Sequence, residues 1–197
     1  VNSETPVVFT STPTPSTLAL PTSNVGTYPI NVSGGNAANY DFVYNSGTLT
    51  INKATITATA ANASRVYQTA NPVFTINYTG FANGEDFTVL NTLPTASTTA
   101  VLSSPVGTYP IALSSGDDNN YTINTVNGTL TITKATPTVT WNTPSPIVYG
   151  TPLSATQLNA TASVGGTFTY SQTAGTILNT GSSQVLSVNF TPTDEAN

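Results

Sequence analysis

Val25-Gly-Thr-Tyr-Pro-Ile30 returns as Val106-Gly-Thr-Tyr-Pro-Ile111, and Gly47-Thr-Leu-Thr-Ile51 returns as Gly128-Thr-Leu-Thr-Ile132. Both pairs lie 81 residues apart. Laid out at that offset, Ser23 to Thr55 matches Ser104 to Thr136 at 19 of 33 positions without a gap. Self-similarity at a fixed period is the signature of tandem modules, each contacting its neighbours in the chain.

Each copy closes on Lys-Ala-Thr, at Lys53 to Thr55 and Lys134 to Thr136, which marks the joints. The period predicts a first module over residues 1–53, truncated at its N-terminal side. A complete second module covers 54–134, and a third module, truncated at its C-terminal side, covers 135–197. No Gly/Ser linker interrupts Thr129-Leu-Thr-Ile-Thr-Lys-Ala-Thr-Pro137, so the last strand of one module feeds into the first of the next. Short joints of this kind predict an extended rod.

Within the modules the pattern is β. Thr48-Leu-Thr-Ile-Asn52, Thr55-Ile-Thr-Ala-Thr59, Val73-Phe-Thr-Ile-Asn-Tyr78, Thr129-Leu-Thr-Ile-Thr133, Pro137-Thr-Val-Thr-Trp141 and Val185-Leu-Ser-Val-Asn-Phe190 alternate apolar with polar residues. That is the two-residue period of a half-buried strand. Gly, Pro and Asn punctuate the runs at intervals suited to a small β-domain. The fold class expected is all-β, in tandem small β-sandwich or β-grasp-like modules, with one short helical turn per module at most. Asn83-Gly-Glu-Asp-Phe87 suits such a turn, with Asn83 as the cap.

Composition narrows the chemistry. Lys and Arg number three, Asp and Glu eight, and only 6% of residues are charged, while Ser and Thr make up 59 of 197. Lys53, Arg65 and Lys134 form no basic patch for phosphates, so nucleic acid is not an expected partner. No apolar run is long enough to span a bilayer as a helix, so no membrane insertion is expected within this segment. His, Cys and Met are absent. That removes imidazole bases, thiolate nucleophiles and the usual zinc ligand sets, so no enzyme is expected. No cofactor is expected either.

Hard oxygen donors remain. Asp117, Asp118 and Asn120 form their densest cluster, and Ca²⁺ is the ion such a cluster suits. The same positions of the first module read Asn36-Ala-Ala-Asn39, so a plain hairpin turn accounts for them as well. Tyr28, Tyr109 and Trp141 are the candidates for a glycan-stacking surface. Their alternative role is core anchoring, with each polar tip on a nearby backbone group.

These residues carry a family resemblance. The second module resembles the MBG-type repeat of large bacterial surface adhesins through Ala54-Thr-Ile-Thr-Ala-Thr59, Tyr78-Thr-Gly-Phe-Ala-Asn-Gly-Glu-Asp86, Val106 to Ile111 and Gly128 to Ala135. The first module resembles the later two thirds of the same repeat. Tyr67 is followed by Gln68 where that family's motif has Tyr-Gly. The third module, with Trp141, Ile147-Val-Tyr-Gly-Thr-Pro-Leu-Ser154 and Val188-Asn-Phe-Thr-Pro-Thr-Asp194, resembles a bacterial immunoglobulin-like repeat. The resemblance implies a secreted or cell-surface bacterial stalk that spaces a distal element from the cell, with neighbouring modules as its partners. The alternative is a binding module or filament component. Its loops or an exposed edge strand would recognise a surface glycan or protein.

Overall fold

A computed structural model describes residues 9–182 and 184–197. In chain order the strands are β1 (Phe9–Ser11), β2 (Thr14–Thr17), β3 (Gly26–Ser33), β4 (Asn36–Ala37), β5 (Gly47–Ile51), β6 (Ala54–Ala60), β7 (Ala63–Val66) and β8 (Ile76–Thr79). They continue with β9 (Ala96–Ser97), β10 (Gly107–Leu113), β11 (Tyr121–Val126), β12 (Gly128–Thr133), β13 (Val139–Thr140), β14 (Thr161–Ala162), β15 (Gly166–Tyr170) and β16 (Val188–Pro192). The fold is all-β, in several small sheets. The chain divides into two compact units. The first gathers the described residues up to Asn62 with Phe74–Thr98 and Pro110–Thr129; the second gathers Ala63–Val73, Thr99–Tyr109 and Leu130–Asn197.

In the first unit, β2, β3 and β5 form an antiparallel sheet with β3 central, Tyr28 facing Leu49 and Ile30 facing Gly47. β3 carries Pro29, which cannot donate to a ladder and is unusual in a central strand. A second sheet has the order β11-β6-β8, and its β11–β6 pair is parallel, from Tyr121 opposite Ala54 to Val126 opposite Thr59. Alternation decides what β6 buries. Ile56, Ala58 and Ala60 point inward while Thr57 and Thr59 stay half-exposed. Ile56, Leu90 and Tyr121 form a buried cluster against Ala54, Tyr78, Phe81 and Ile123, with Phe81 edge-on to Tyr121 at 5.2 Å between ring centroids. Burying a side chain the size of Ile56 stabilises by about 1.5–3 kcal/mol.

Tyr121 is satisfied inside this cluster. Its hydroxyl donates to Glu85 Oε2 at 2.5 Å and accepts the Ala82 N–H at 3.1 Å. Burial, reinforced by the Glu85 carboxylate, raises the phenol above its ordinary value and keeps it protonated. The helical turn is a 3-10 turn over Phe87–Val89, with its cap three residues beyond the expected Asn83. Asp86 caps it, accepting the Thr88 N–H at 2.9 Å and the Thr88 hydroxyl at 2.6 Å. Asn83 instead takes a left-handed conformation, φ 54°, where Asn is tolerated in a turn. The equivalent turn of the first module falls at residues 6–8, outside the described residues.

In the second unit, β7 lies parallel to β12, from Ala63 opposite Leu130 to Val66 opposite Thr133. β12 sits between β7 and β10, and Leu130 is 0% exposed. Arg65 is also buried, at 6% exposure, and its guanidinium donates to Asn71 Oδ1 at 2.7 Å, the Val66 carbonyl at 3.2 Å and the Val101 carbonyl at 2.6 Å. A buried guanidinium needs such partners, because leaving one unpaired costs several kcal/mol. β13 pairs with β14 and β15 with β16, Phe168 facing Phe190.

Candidate inter-module joint

Lys53, Asp118, Asn120 and the Tyr28 turn come together within the first unit, and Lys134, Asn197 and the Tyr109 turn within the second. Lys53 donates through Nζ to the Asp118 carbonyl at 2.6 Å. Two residues on, Asn120 Oδ1 accepts the Val25 N–H at 2.9 Å, and Asn120 Nδ2 donates to Asn24 Oδ1 at 3.0 Å. The loop from Asp117 to Asn120 thus grips the start of Val25-Gly-Thr-Tyr within the same compact unit.

The same arrangement recurs in the second unit. Lys134, the repeat equivalent of Lys53, donates through Nζ to the Glu195 carbonyl. Asn197 Oδ1 accepts the Val106 N–H at 2.8 Å, and Val106 is the equivalent of Val25. The two tyrosines repeat as well. Tyr28 donates its hydroxyl to the Asn24 carbonyl at 2.8 Å and Tyr109 to the Pro105 carbonyl at 2.9 Å, each four residues back. Both rings are half-buried, and each hydroxyl braces the turn that presents the gripped N–H.

An aspartate shapes each gripping loop. Asp118 is 5% exposed, and its Oδ1 accepts the N–H groups of Asn120 at 2.7 Å and Tyr121 at 3.0 Å. Its Oδ2 accepts the Asn91 N–H at 3.3 Å. In the second joint the role moves one residue back. Asp194 Oδ1 accepts the N–H groups of Ala196 at 3.1 Å and Asn197 at 3.2 Å, and Oδ2 accepts Asn197 Nδ2 at 2.8 Å. The Asn197 amide, with smaller contributions from these N–H groups and Lys134, holds the Asp194 carboxyl below its ordinary value.

Asp118 and Asn120, two of the three calcium candidates, therefore spend their oxygens on backbone donors. The third, Asp117, is exposed and joins a backbone bridge to Thr92. Among the described residues no three carboxylates gather as a metal site would need. Trp141 lies away from the joints' hydrogen bonds. It donates its indole N–H to the Gln157 carbonyl at 2.9 Å and meets Tyr170 edge-on at 5.2 Å. The described residues of the second unit line concavities. One of about 470 Å³ is lined by Pro144, Pro146, Tyr149, Leu153 and Leu186 among others, and one of about 340 Å³ contains Tyr67, Pro192 and Asn197. Each has a single aromatic side chain in its lining.

The roles of Val25 and Val106 as gripped N–H donors, and of Asn197 as an acceptor, escaped the sequence reading. A signal for them was present: Asp117-Asp-Asn-Asn120 and Asp194-Glu-Ala-Asn197 share an Asp-x-x-Asn spacing, 77 residues apart rather than 81.

The departure from the family's Tyr-Gly motif leaves the backbone conformation in place. Gln68, after Tyr67, has φ 63°, and Gly150, after Tyr149, has φ 90°. Gln68 therefore holds the left-handed conformation that glycine serves in a Tyr-Gly motif. The family model of the MBG domain (YGX type) matches residues 1–50 and 56–131. The chain belongs to the MBG domain family. This family is a non-enzymatic repeat module typical of bacterial surface proteins. No curated protein and no solved structure matches the chain.

Proposed function

We propose that this MBG-domain chain is a structural stalk segment of a secreted or cell-surface bacterial adhesin-like protein. Its modules space a distal functional element from the cell, and the third is an immunoglobulin-like repeat serving the same role. One observation carries this reading: the same grip, Lys on a loop carbonyl and Asn on a valine N–H, recurs at both joints. A spacer needs its joints held, and a grip made to backbone atoms tolerates sequence drift in the surrounding loops. The single aromatic in each concavity supports a spacer over a glycan-stacking site, which needs aromatic faces beside polar groups.

Dye pairs placed across each joint test it by single-molecule energy transfer. A stalk gives one narrow distance distribution at each joint, little changed between low and high salt. Broad, independently fluctuating distributions at both joints would sink the proposal.

A further inference from the structure

Asn-Gly occurs twice in the chain, at Asn83-Gly84 and Asn127-Gly128. The dipeptide has a chemistry of its own, because a glycine nitrogen, with no Cβ beside it, closes readily on the side-chain amide carbon of the asparagine before it. The two pairs have opposite surroundings. Asn83 and Gly84 are the central residues of a turn that the Glu85 N–H closes onto the Ala82 carbonyl at 2.9 Å. With φ 54° and 74° both are left-handed, the pattern of a type I′ turn. All four residues of the turn are exposed, and a Cβ on Gly84 would meet nothing within 4 Å. Among the described residues no hydrogen bond holds the Asn83 side chain or the Gly84 N–H.

Asn127 differs on each count. Its Oδ1 accepts the Leu113 N–H at 3.2 Å, and Gly128, which opens β12, is buried. A Cβ on Gly128 would meet the Ala60 carbonyl oxygen at 2.6 Å, so the main chain there is packed against a neighbouring strand.

The exposed turn also holds a buried group. Its first residue, Ala82, donates its N–H to the Tyr121 hydroxyl at 3.1 Å, and that hydroxyl donates to Oε2 of its last residue, Glu85, at 2.5 Å. The two ends of the turn thus clasp one phenol, 4% exposed, from the cluster of Ile56 and Leu90. The length of the turn sets the span of the clasp.

We propose that Asn83 is a site of spontaneous modification, deamidation to aspartate and isoaspartate, which loosens the clasp on Tyr121, and that Asn127 is protected from it. The Gly84 nitrogen bonds to Asn83 Cγ and the Cγ–Nδ2 bond breaks. Nδ2 leaves as ammonia with the proton from the Gly84 N–H, and a cyclic imide remains. Water then opens the imide. Cleavage of its N–Cγ bond gives aspartate; cleavage of its bond to the main-chain carbonyl carbon gives isoaspartate, whose main chain runs through Cβ and Cγ. No atom is oxidised or reduced, and water is the co-reactant. Isoaspartate lengthens the turn by one carbon between Ala82 and Gly84, which spreads the two groups that hold the Tyr121 hydroxyl. Attack at Asn127 has first to break its bond to Leu113 and lift Gly128 off the Ala60 carbonyl. The inference stands apart from the spacer reading, which rests on the grips at Val25 and Val106.

The test ages the 197-residue chain in mildly alkaline buffer, folded and unfolded in urea, and maps the products by proteolysis and mass spectrometry. An isoaspartyl methyltransferase counts the isoaspartate. In the folded chain Asn83 is converted at least about tenfold faster than Asn127, the order expected where a hydrogen bond and a packed backbone must open first. In urea the two rates converge. Conversion speeds hydrogen exchange of the Ala82 amide and leaves the Leu113 amide unchanged. Asn83→Gln, whose longer side chain closes the ring far more slowly, keeps the Ala82 amide protected through the same ageing. Equal rates at the two sites in the folded chain would overturn the proposal, and so would an Asn83 that stays intact while the unfolded chain is consumed. An isoaspartate-bearing chain whose Ala82 amide exchanges as before would overturn the effect on Tyr121.

Discussion

Asn120 and Val25 lie 95 residues apart in sequence, yet Asn120 Oδ1 accepts the Val25 N–H at 2.9 Å. Asn197 and Val106 repeat the bond at 2.8 Å. An Asn→Ala change at either site leaves a half-buried N–H without its acceptor, a loss of about 1–2 kcal/mol at that joint. The modules should stay folded, because neither asparagine belongs to the buried cluster around Ile56. Amide relaxation is expected to show faster local motion at Val25 in Asn120→Ala and at Val106 in Asn197→Ala, each without effect at the other joint. A uniform loss of dispersion across the spectrum would instead make Asn120 a folding residue.

The second joint should loosen in acid. Asp194 Oδ2 accepts Asn197 Nδ2, which turns the other end of that amide toward Val106. The Asp194 carboxyl is held below its ordinary value, so its contribution is complete above the unfolded-state value of about 3.9. It is lost as pH falls through the lower folded-state value. The Val106 amide shift is expected to titrate in that acid range. Asp194→Asn should abolish the transition, and its persistence in that variant would assign the effect to another group.

Gln68 supplies a test of the backbone. At φ 63° a residue with a Cβ pays about 1–2 kcal/mol relative to glycine, part of which glycine returns through its greater unfolded-state freedom. Gln68→Gly is expected to stabilise by about 0.5–1 kcal/mol, read as a higher Tm. Gln68→Val, with a β-branched side chain in the same conformation, should lower it. A fall in Tm for the glycine variant would show that the Gln68 side chain contributes more than its backbone costs.

Much of this fold was legible because two signals agreed. The 81-residue period paired β3 with β10 and β5 with β12, and alternation in Thr55 to Thr59 and Thr129 to Thr133 marked strands that bury Ile56, Leu130 and Ile132. Other strands were hidden by local chemistry. Pro29 and Pro110 disguise β3 and β10, while Val73 to Thr75 carry the right residues but lie outside β8. The joints were half legible. The period marked Lys53 and Lys134 as equivalent, but their acceptors are backbone carbonyls, which no sequence pattern displays. The Asp-x-x-Asn loops lie 77 residues apart, so a comparison at 81 set Asp117 to Asn120 against Asn36 to Asn39 and missed Asp194 to Asn197.

Two glycines at equivalent positions, Gly47 and Gly128, have different surroundings. A Cβ on Gly128 would meet the Ala60 carbonyl oxygen at 2.6 Å and that of Ala61 at 2.9 Å, both backbone atoms unable to swing aside. A Cβ on Gly47 would meet Ile30 at 3.6 Å, an ordinary contact. Gly128→Ala is therefore expected to cost about 1–3 kcal/mol, the range for overpacking a fitted site. Gly47→Ala should stay within about 0.5 kcal/mol, as surface changes do. Chemical denaturation of each variant measures the difference.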